Sequence, residues 1–220
     1  EIKIDKALEK PGYKQLGRIA PFGGGSSGGP VAPPGNYQVQ LKTGKTEITH
    51  SFEIIKDPRL KTTAEDFAEQ FNLWTKIRDK VSATNFAINK IRRINHQITA
   101  LLARGIFSNS AAEKKITEVR KTAETLREKL SKIENQLTQN QYETPSDRLR
   151  HPTMLKERME ALVSVASVSD AAPPQQAHAV FEDLSTQIDE QLAQLSKLEE
   201  QELLQLNKQI EQAGIPKLQG

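Results

Sequence analysis

The chain contains no cysteine, and this single absence removes several classes of functional site. Structural disulfides, thiolate metal centres and cysteine nucleophiles are all excluded. A cysteine-free chain is compatible with the cytosol and with a bacterial envelope, so this feature leaves the compartment open.

Long apolar runs and a strong charge bias are also missing. No run approaches the roughly 20 apolar residues that a membrane-spanning helix needs, so we expect no membrane span. The net charge is only +3 and the signs are interleaved, whereas nucleic-acid binding usually needs a basic stripe on one face. The chain begins at Glu1 without Met or a signal peptide, and we expect a processed mature chain or a piece of a longer protein.

What the chain does have is a narrow apolar seam between residues 110 and 137. Its apolar residues recur at gaps of three and four, and charged or polar side chains fill the positions between them. Because a helix turns once per 3.6 residues, this spacing places the apolar side chains on one side of a helix, where another helix has to cover them. The seam residues are Ile116, Val119, Ala123, Leu126, Leu130, Ile133 and Leu137.

Similar periodicity and end signals predict four helices, over residues 63–104, 110–141, 152–168 and 175–213. Thr63 with Asp66 resembles a capping box, and Pro152 suits a first helical turn. We expect residues 61–220 to form an elongated antiparallel bundle of three long helices and one short helix. The long apolar faces carry the following residues: Phe67, Phe71, Trp74, Ile77, Val81, Ile88, Ile91, Ile94, Ile98 and Leu101 in the first helix, and Val180, Phe181, Leu184, Ile188, Leu192, Leu195, Leu198, Leu203, Leu206 and Ile210 in the last.

Residues 1–60 have a different composition and predict a small antiparallel β subdomain. A loop rich in Gly and Pro covers residues 21–35, and a β-hairpin follows, with a half-buried first strand and a turn at Thr43-Gly44-Lys45. Residues 2–4 and 13–19 are weaker strand candidates. Since a lone hairpin is marginal in water, further strands or a helix have to cover it, and a small β-sandwich fragment is the natural interpretation. The fold class predicted for the whole chain is therefore α+β, mainly α.

No pattern in the sequence predicts a catalytic, cofactor-binding or metal-binding residue. The four histidines have no metal-ligand spacing, and surface or capping roles are favoured for them. Paired carboxylates on the last helix are typical of a solvated face. The Gly-rich run lacks the lysine ending of a phosphate loop, and the basic pairs Arg92-Arg93 and Lys114-Lys115 also favour a solvated face.

The aromatic residues Phe67, Phe71 and Trp74 are the best candidates for contact with a partner. Their spacing of four and three suits the helical core, which is the favoured interpretation. If any of them is exposed, it becomes the strongest candidate, because aromatic side chains dominate interface anchors.

Several segments together resemble one protein family. Residues 31–41 read VAPPGNYQVQL and resemble the opening of an Ig-like strand pair, and residues 51–59 read SFEIIKDPR and resemble the exit that follows it. Residues 67–79, 171–184 and 213–216 fit the same pattern. This set is similar to the C-terminal region of bacterial exported sortilin-like β-propeller proteins of the BNR-repeat type, often labelled glycosyl hydrolases. Residues 1–30 depart from the pattern.

The resemblance implies a role but no active-site residue. In that family any glycan chemistry belongs to the propeller, and this chain has no Asp-box repeat. We therefore expect a non-enzymatic structural or interaction module of an exported protein, in contact with its own N-terminal propeller or another chain. Two alternatives stay open: an accessory part of a hydrolase whose site lies in a propeller that this sequence does not contain, and a cytoplasmic coiled-coil adaptor that dimerises through its helices.

Overall fold

The computed structural model describes residues 29–103, 113–142 and 144–213. Within them it is mainly helical with a small two-stranded antiparallel sheet, as predicted. The strand candidates at 2–4 and 13–19 and the start predicted for the second helix lie outside the described residues. In chain order the elements are β1 (Gly35–Thr43), β2 (Thr46–Ile54), α1 (Ala64–Ala103), α2 (Glu113–Leu137), a 3₁₀ turn (Pro145–Leu149), α3 (Leu155–Ala166), α4 (Gln175–Lys197), a π-helical segment (Leu198–Leu203) and α5 (Leu204–Gln212).

The hairpin forms where the alternating pattern places it. Strand β1 pairs with β2 in a register that sets Tyr37 opposite Phe52 and Leu41 opposite Ile48. Gly44 in the connecting turn has a φ of 56°, a left-handed conformation that glycine adopts without steric cost. Alternation of period two thus correctly predicts the strands and their turn.

The sequence led us to expect a half-buried first strand, and this prediction is wrong. Val39, Leu41 and Ile48 keep 54%, 60% and 56% of their surface exposed. Strands β1 and β2 contact each other and none of the described helices. An alternating pattern indicates which side of a strand is apolar, but exposure depends on whether another element lies on that side.

A short turn redirects the chain from β2 into α1. The guanidinium of Arg59 and its backbone N–H bind the Asp57 carboxylate, and these hydrogen bonds lower the pKa of Asp57 below its usual value. Helix α1 then begins with the predicted capping box. The Asp66 carboxylate accepts from the Thr63 N–H at 2.8 Å, and the Thr63 hydroxyl accepts from the Asp66 N–H at 3.1 Å.

The helices share one apolar core. Every seam residue of α2 is buried, which confirms the spacing argument, and α1 contributes buried positions from Leu73 to Leu101. Three aromatic residues predicted to lie in the α1 core, Phe67, Phe71 and Trp74, are only half-buried, because Leu73 and Ile77 occupy the covered side of the first turns. Val180 of α4 is also exposed.

Helix α3 starts three residues later than Pro152 predicts. The first turn begins at Leu155 because the Glu157 carboxylate caps it, accepting from the Met154 N–H at 3.2 Å. The same carboxylate accepts from the Thr138 hydroxyl at 2.7 Å and from the Gln139 N–H at 3.2 Å. Glu157 therefore ties the end of α2 to the start of α3.

Helices α4 and α5 form one continuous rod through the π-helical segment, since the backbone stays in the right-handed helical region at both joints. Leu195 and Leu203 are both buried although eight residues separate them. In an α-helix this separation leaves two side chains about 80° out of phase. The wider π turn takes up the extra residue, so both leucines face the core.

Lateral polar contacts show how the helices run. Lys80 contacts Asp189, and Lys90 contacts Glu199, with the same separation of 109 residues in the chain. A constant separation requires α1 and α4 to run parallel. Helices α2 and α3 run the opposite way, because the end of α2 contacts Arg92 whereas the end of α3 contacts Gln70. Helices α2 and α3 thus lie in succession against α1, and both are antiparallel to it.

Candidate interaction surface

Just before β1 the chain passes the first turns of α1, beside two of the aromatic residues that the sequence singles out. Residues 31–33, here called the strap, lie beside Phe67 and Trp74 of α1. With Gln70, Ser167 and Asp170 they line a cavity of about 160 Å³, here called the notch. The Tyr37 hydroxyl donates to the Pro33 carbonyl at 2.6 Å, so the base of β1 holds the strap.

The candidate contact residues therefore separate into two groups. Phe67 and Trp74 line the notch, whereas Phe71, also half-buried, does not. Many peptide-recognition domains bind an extended, proline-containing segment against an aromatic side chain such as tryptophan. Because the segment is already extended, it loses little entropy on docking. Here the chain's own strap occupies that position.

Polar groups that the sequence did not reveal hold the notch together. The Gln70 side-chain amide donates to the Ala166 carbonyl at 3.0 Å and to the Ser169 carbonyl at 2.6 Å. The Thr62 hydroxyl donates to the Asp170 carbonyl. These bonds tie α1 and the segment before it to the last carbonyl of α3, that of Ala166, and to the loop that follows α3. Nothing in the spacing of Gln70 or Thr62 signals such a contact, since their partners lie about a hundred residues away.

The hairpin itself is amphipathic. Directly opposed residues of an antiparallel pair point to the same side, so the register collects the apolar side chains on one face. The rings of Tyr37 and Phe52 stack there with centroids 5.9 Å apart. The opposite face carries polar side chains such as Gln38, Gln40 and Glu53. We call the first side the hairpin's apolar face; it comprises Tyr37, Val39, Leu41, Ile48, His50, Phe52 and Ile54.

The basic pair Arg92-Arg93 was predicted to lie on a solvated face, but only one of its two side chains does. Arg93 is exposed, but Arg92 turns inward, and its Nε donates to Glu134 Oε1 at 2.7 Å. Arg92 also donates to the Asn140 amide oxygen at 3.0 Å. Glu134 follows the seam residue Ile133 and lies one helical turn after Leu130. This spacing was the signal in the sequence that the Glu134 side chain faces the core.

The histidines considered as metal ligands do not come together. His50 and His96 are exposed, and His178 lies 3.1 Å from the Glu69 carboxylate on the surface of the helices. Over residues 29–103, 113–142 and 144–213, no group of three or more metal-ligating side chains is placed to hold an ion. In the same part of the chain no helix is both long and apolar enough to cross a lipid bilayer.

Comparisons with protein-family models, with curated proteins and with solved structures found no match for this chain.

Proposed function

We propose that the chain is a non-enzymatic structural or protein-interaction module: a helical spacer that carries a β subdomain at one end. Its setting, on the resemblance described above, is an exported bacterial protein with a β-propeller. The observation that carries the proposal is the closed core. The seams of α1, α2 and the α4–α5 rod are buried against one another, so these apolar stripes are covered within one molecule.

The contact region that we infer is the hairpin end. It presents the half-buried Phe67 and Trp74, the strap and two hairpin edges that no other described strand pairs with, whereas the flanks of the helices carry ion pairs such as Lys80–Asp189 and Lys129–Glu202. Aromatic side chains at a partly covered notch supply the apolar anchors that interfaces use. The partner is the protein's own propeller or another chain.

The geometry of the notch supports a contact role over an accessory catalytic one. General acid–base chemistry needs at least one carboxyl group whose pKa is tuned by burial, and glycoside hydrolysis usually needs a pair. Among the described residues Asp170 is the one carboxylate that lines the notch, and it is exposed to solvent. The other lining side chains are apolar, hydroxyl or amide groups.

Hydrolysis assays test the proposal directly. We expect the purified chain to show no saturable rate on a panel of glycoside and peptide substrates. A saturable rate that Asp170→Asn abolishes and that an exposed control, Asp183→Asn, leaves unchanged would contradict it.

Light scattering separates the module from a coiled-coil adaptor. We expect a monomer at micromolar concentration, because an adaptor needs an uncovered seam on at least one helix and these seams are covered within one molecule. A stable dimer that persists on dilution and that a seam substitution such as Leu130→Ala disrupts would favour the adaptor.

A further inference from the structure

Two side chains that line the notch use their hydrogen-bond donors within the protein. Both N–H groups of the Gln70 amide donate, one to the Ala166 carbonyl and one to the Ser169 carbonyl. The Ser167 hydroxyl donates to the Val163 carbonyl at 2.7 Å. What these two side chains can still offer to a ligand is an oxygen lone pair. They therefore contribute hydrogen-bond acceptors to the notch.

The charge at the notch favours the same kind of ligand as these acceptors. Asp170 contributes an exposed carboxylate, and none of the described residues that line the notch is a lysine, arginine or histidine. Within the described part of the chain Asp170 takes part in no ion pair, and its backbone carbonyl, not its carboxylate, accepts from the Thr62 hydroxyl. A site with one carboxylate and several acceptors favours a ligand that carries a positive charge and hydrogen-bond donors.

The two aromatic residues of the notch add a second attraction for a cation. Phe67, Gln70 and Trp74 are spaced by three and four residues, so they lie along one side of α1 with Gln70 between the two aromatic positions. Although the indole N–H of Trp74 is a donor, the face of its ring, like that of Phe67, carries partial negative charge and attracts cations. The fold thus brings two aromatic rings to the same cavity as the Asp170 carboxylate.

The size of the notch limits the ligand to the end of one side chain. Its volume is about 160 Å³, whereas the pockets that hold drug-sized molecules have about 300–1,000 Å³. A cavity of roughly 150 Å³ holds one benzene molecule, or about six heavy atoms. The end of a lysine or arginine side chain has about this size. A cation in so small a cavity also lies within the roughly 6 Å of an aromatic ring that a cation–π contact allows.

We propose that the notch binds a lysine or arginine side chain of the partner. The inference rests on the proposed interaction role and adds the chemistry of the anchor. The ammonium or guanidinium group meets the Asp170 carboxylate, while the methylene stem packs beside Phe67 and Trp74. A neutral apolar side chain fills the same volume but gains nothing from the carboxylate, and an acidic side chain is repelled by it.

Short peptides test this charge preference with the full chain. The probes are three pentapeptides, acetyl-Ala-Ala-X-Ala-Ala-amide, in which X is lysine, norleucine or glutamate. Norleucine has the carbon stem of lysine without its charge. The fluorescence of Trp74, the single tryptophan, reports binding. We expect the lysine peptide to bind about tenfold more tightly than the norleucine peptide, and the glutamate peptide to bind more weakly than either.

Three variants locate the preference. Asp170→Asn removes the charge at an exposed position with little change of shape, and is expected to bring the affinities for lysine and norleucine to within about twofold. Phe67→Leu keeps an apolar side chain without an aromatic face, and is expected to weaken binding of the lysine peptide about threefold and to leave the norleucine peptide nearly unchanged. The control Asp183→Asn removes an exposed carboxylate outside the notch and is expected to keep the full preference.

The outcomes that overturn the proposal are specific. Equal affinities of the lysine and norleucine peptides for the unaltered chain overturn it, and so does a preference that survives Asp170→Asn or Phe67→Leu unchanged. A preference that Asp183→Asn lowers as much as Asp170→Asn also overturns it, because it indicates a general attraction between charges. None of these outcomes bears on hydrolysis or on the oligomeric state, so a failure of this inference is distinct from a failure of the proposed function.

Discussion

Arg92 of α1 and Glu134 of α2 form an ion pair inside the helical assembly, with 2.7 Å between Nε and Oε1. Their side chains retain only 12% and 2% of their surface. Burying two charges is costly, and the arrangement is stable only while each charge has its partner. The pair lies near the end of α2, where Glu157 bonds to both α2 and α3. It therefore also sets the position along α1 at which this junction packs.

Removing one partner of this pair is expected to destabilise the chain strongly. Glu134→Ala removes the buried carboxylate that accepts from the Arg92 guanidinium, and we expect the free energy of unfolding to fall by about 3–5 kcal/mol. Urea denaturation followed by circular dichroism measures this change. The control is Glu128→Ala, an exposed position on the same helix, for which the expected loss is below about 0.5 kcal/mol. Equal effects of the two substitutions would show that the pair contributes no special stability.

The parallel arrangement of α1 and α4 predicts a specific pattern of distances. Spin labels at the exposed positions Lys76 and Thr186 are expected to be close together, and so are labels at Arg93 and Gln201. The exchanged pair, Lys76 with Gln201, is expected to be separated by a further 20–25 Å, roughly, along the helix axis. Pulsed electron paramagnetic resonance measures these distances. A short distance for the exchanged pair together with long distances for the matched pairs would mean that α1 and α4 run antiparallel.

The π-helical segment predicts that one residue can be deleted there at little cost. Deletion of the exposed Glu200 lets Leu195 and Leu203 face the core from an ordinary α-helix, and we expect the free energy of unfolding to change by less than about 1 kcal/mol. Deletion of the exposed Thr186, within regular α4, is the control. It rotates the core residues on one side of the deletion by about 100° against those on the other.

Thermal unfolding distinguishes the two deletions. The Thr186 deletion is expected to lose the burial of several leucine and isoleucine side chains, each of which contributes roughly 1.5–3 kcal/mol. A loss of similar size for the Glu200 deletion would mean that the wide turn has a packing role of its own rather than correcting the phase of the apolar residues.

Trp74 is the single tryptophan of the chain, so its fluorescence reports on the notch alone. Pro33→Gly is expected to loosen the strap, because glycine adds backbone freedom and removes a ring that lines the same cavity as Phe67 and Trp74. We expect the emission maximum to shift to longer wavelength as water reaches the indole. Ile55→Ala, at an exposed residue that does not line the notch, is the control and is expected to leave the spectrum unchanged. An unchanged spectrum for Pro33→Gly would show that the strap does not shield Trp74.

Short-range patterns predicted the elements well, and the reason is local. The seam of α2, the capping box at Thr63 and the glycine turn at Gly44 depend on residues a few positions apart, so their physics is visible in the sequence. The start of α3 was wrong because a proline signal competed with a capping carboxylate, Glu157, that bonds on both sides of the junction. That Phe67, Phe71 and Trp74 contact a partner stays a prediction, and their half-buried position could not be predicted from a spacing that favours the helical core.

By itself, the sequence determined which residues form helices and strands and which side of each is apolar, because both depend on periodicity along the chain. Only the tertiary structure decided that α1 and α4 run parallel, that Arg92 turns inward to Glu134, and that Phe67 and Trp74 border a notch beside the strap. Periodicity shows which face of a helix or strand is apolar, but it does not show which other element packs against that face. The neighbour is chosen by contacts between residues about forty to more than a hundred positions apart, where packing and charge pairing act in space rather than along the chain.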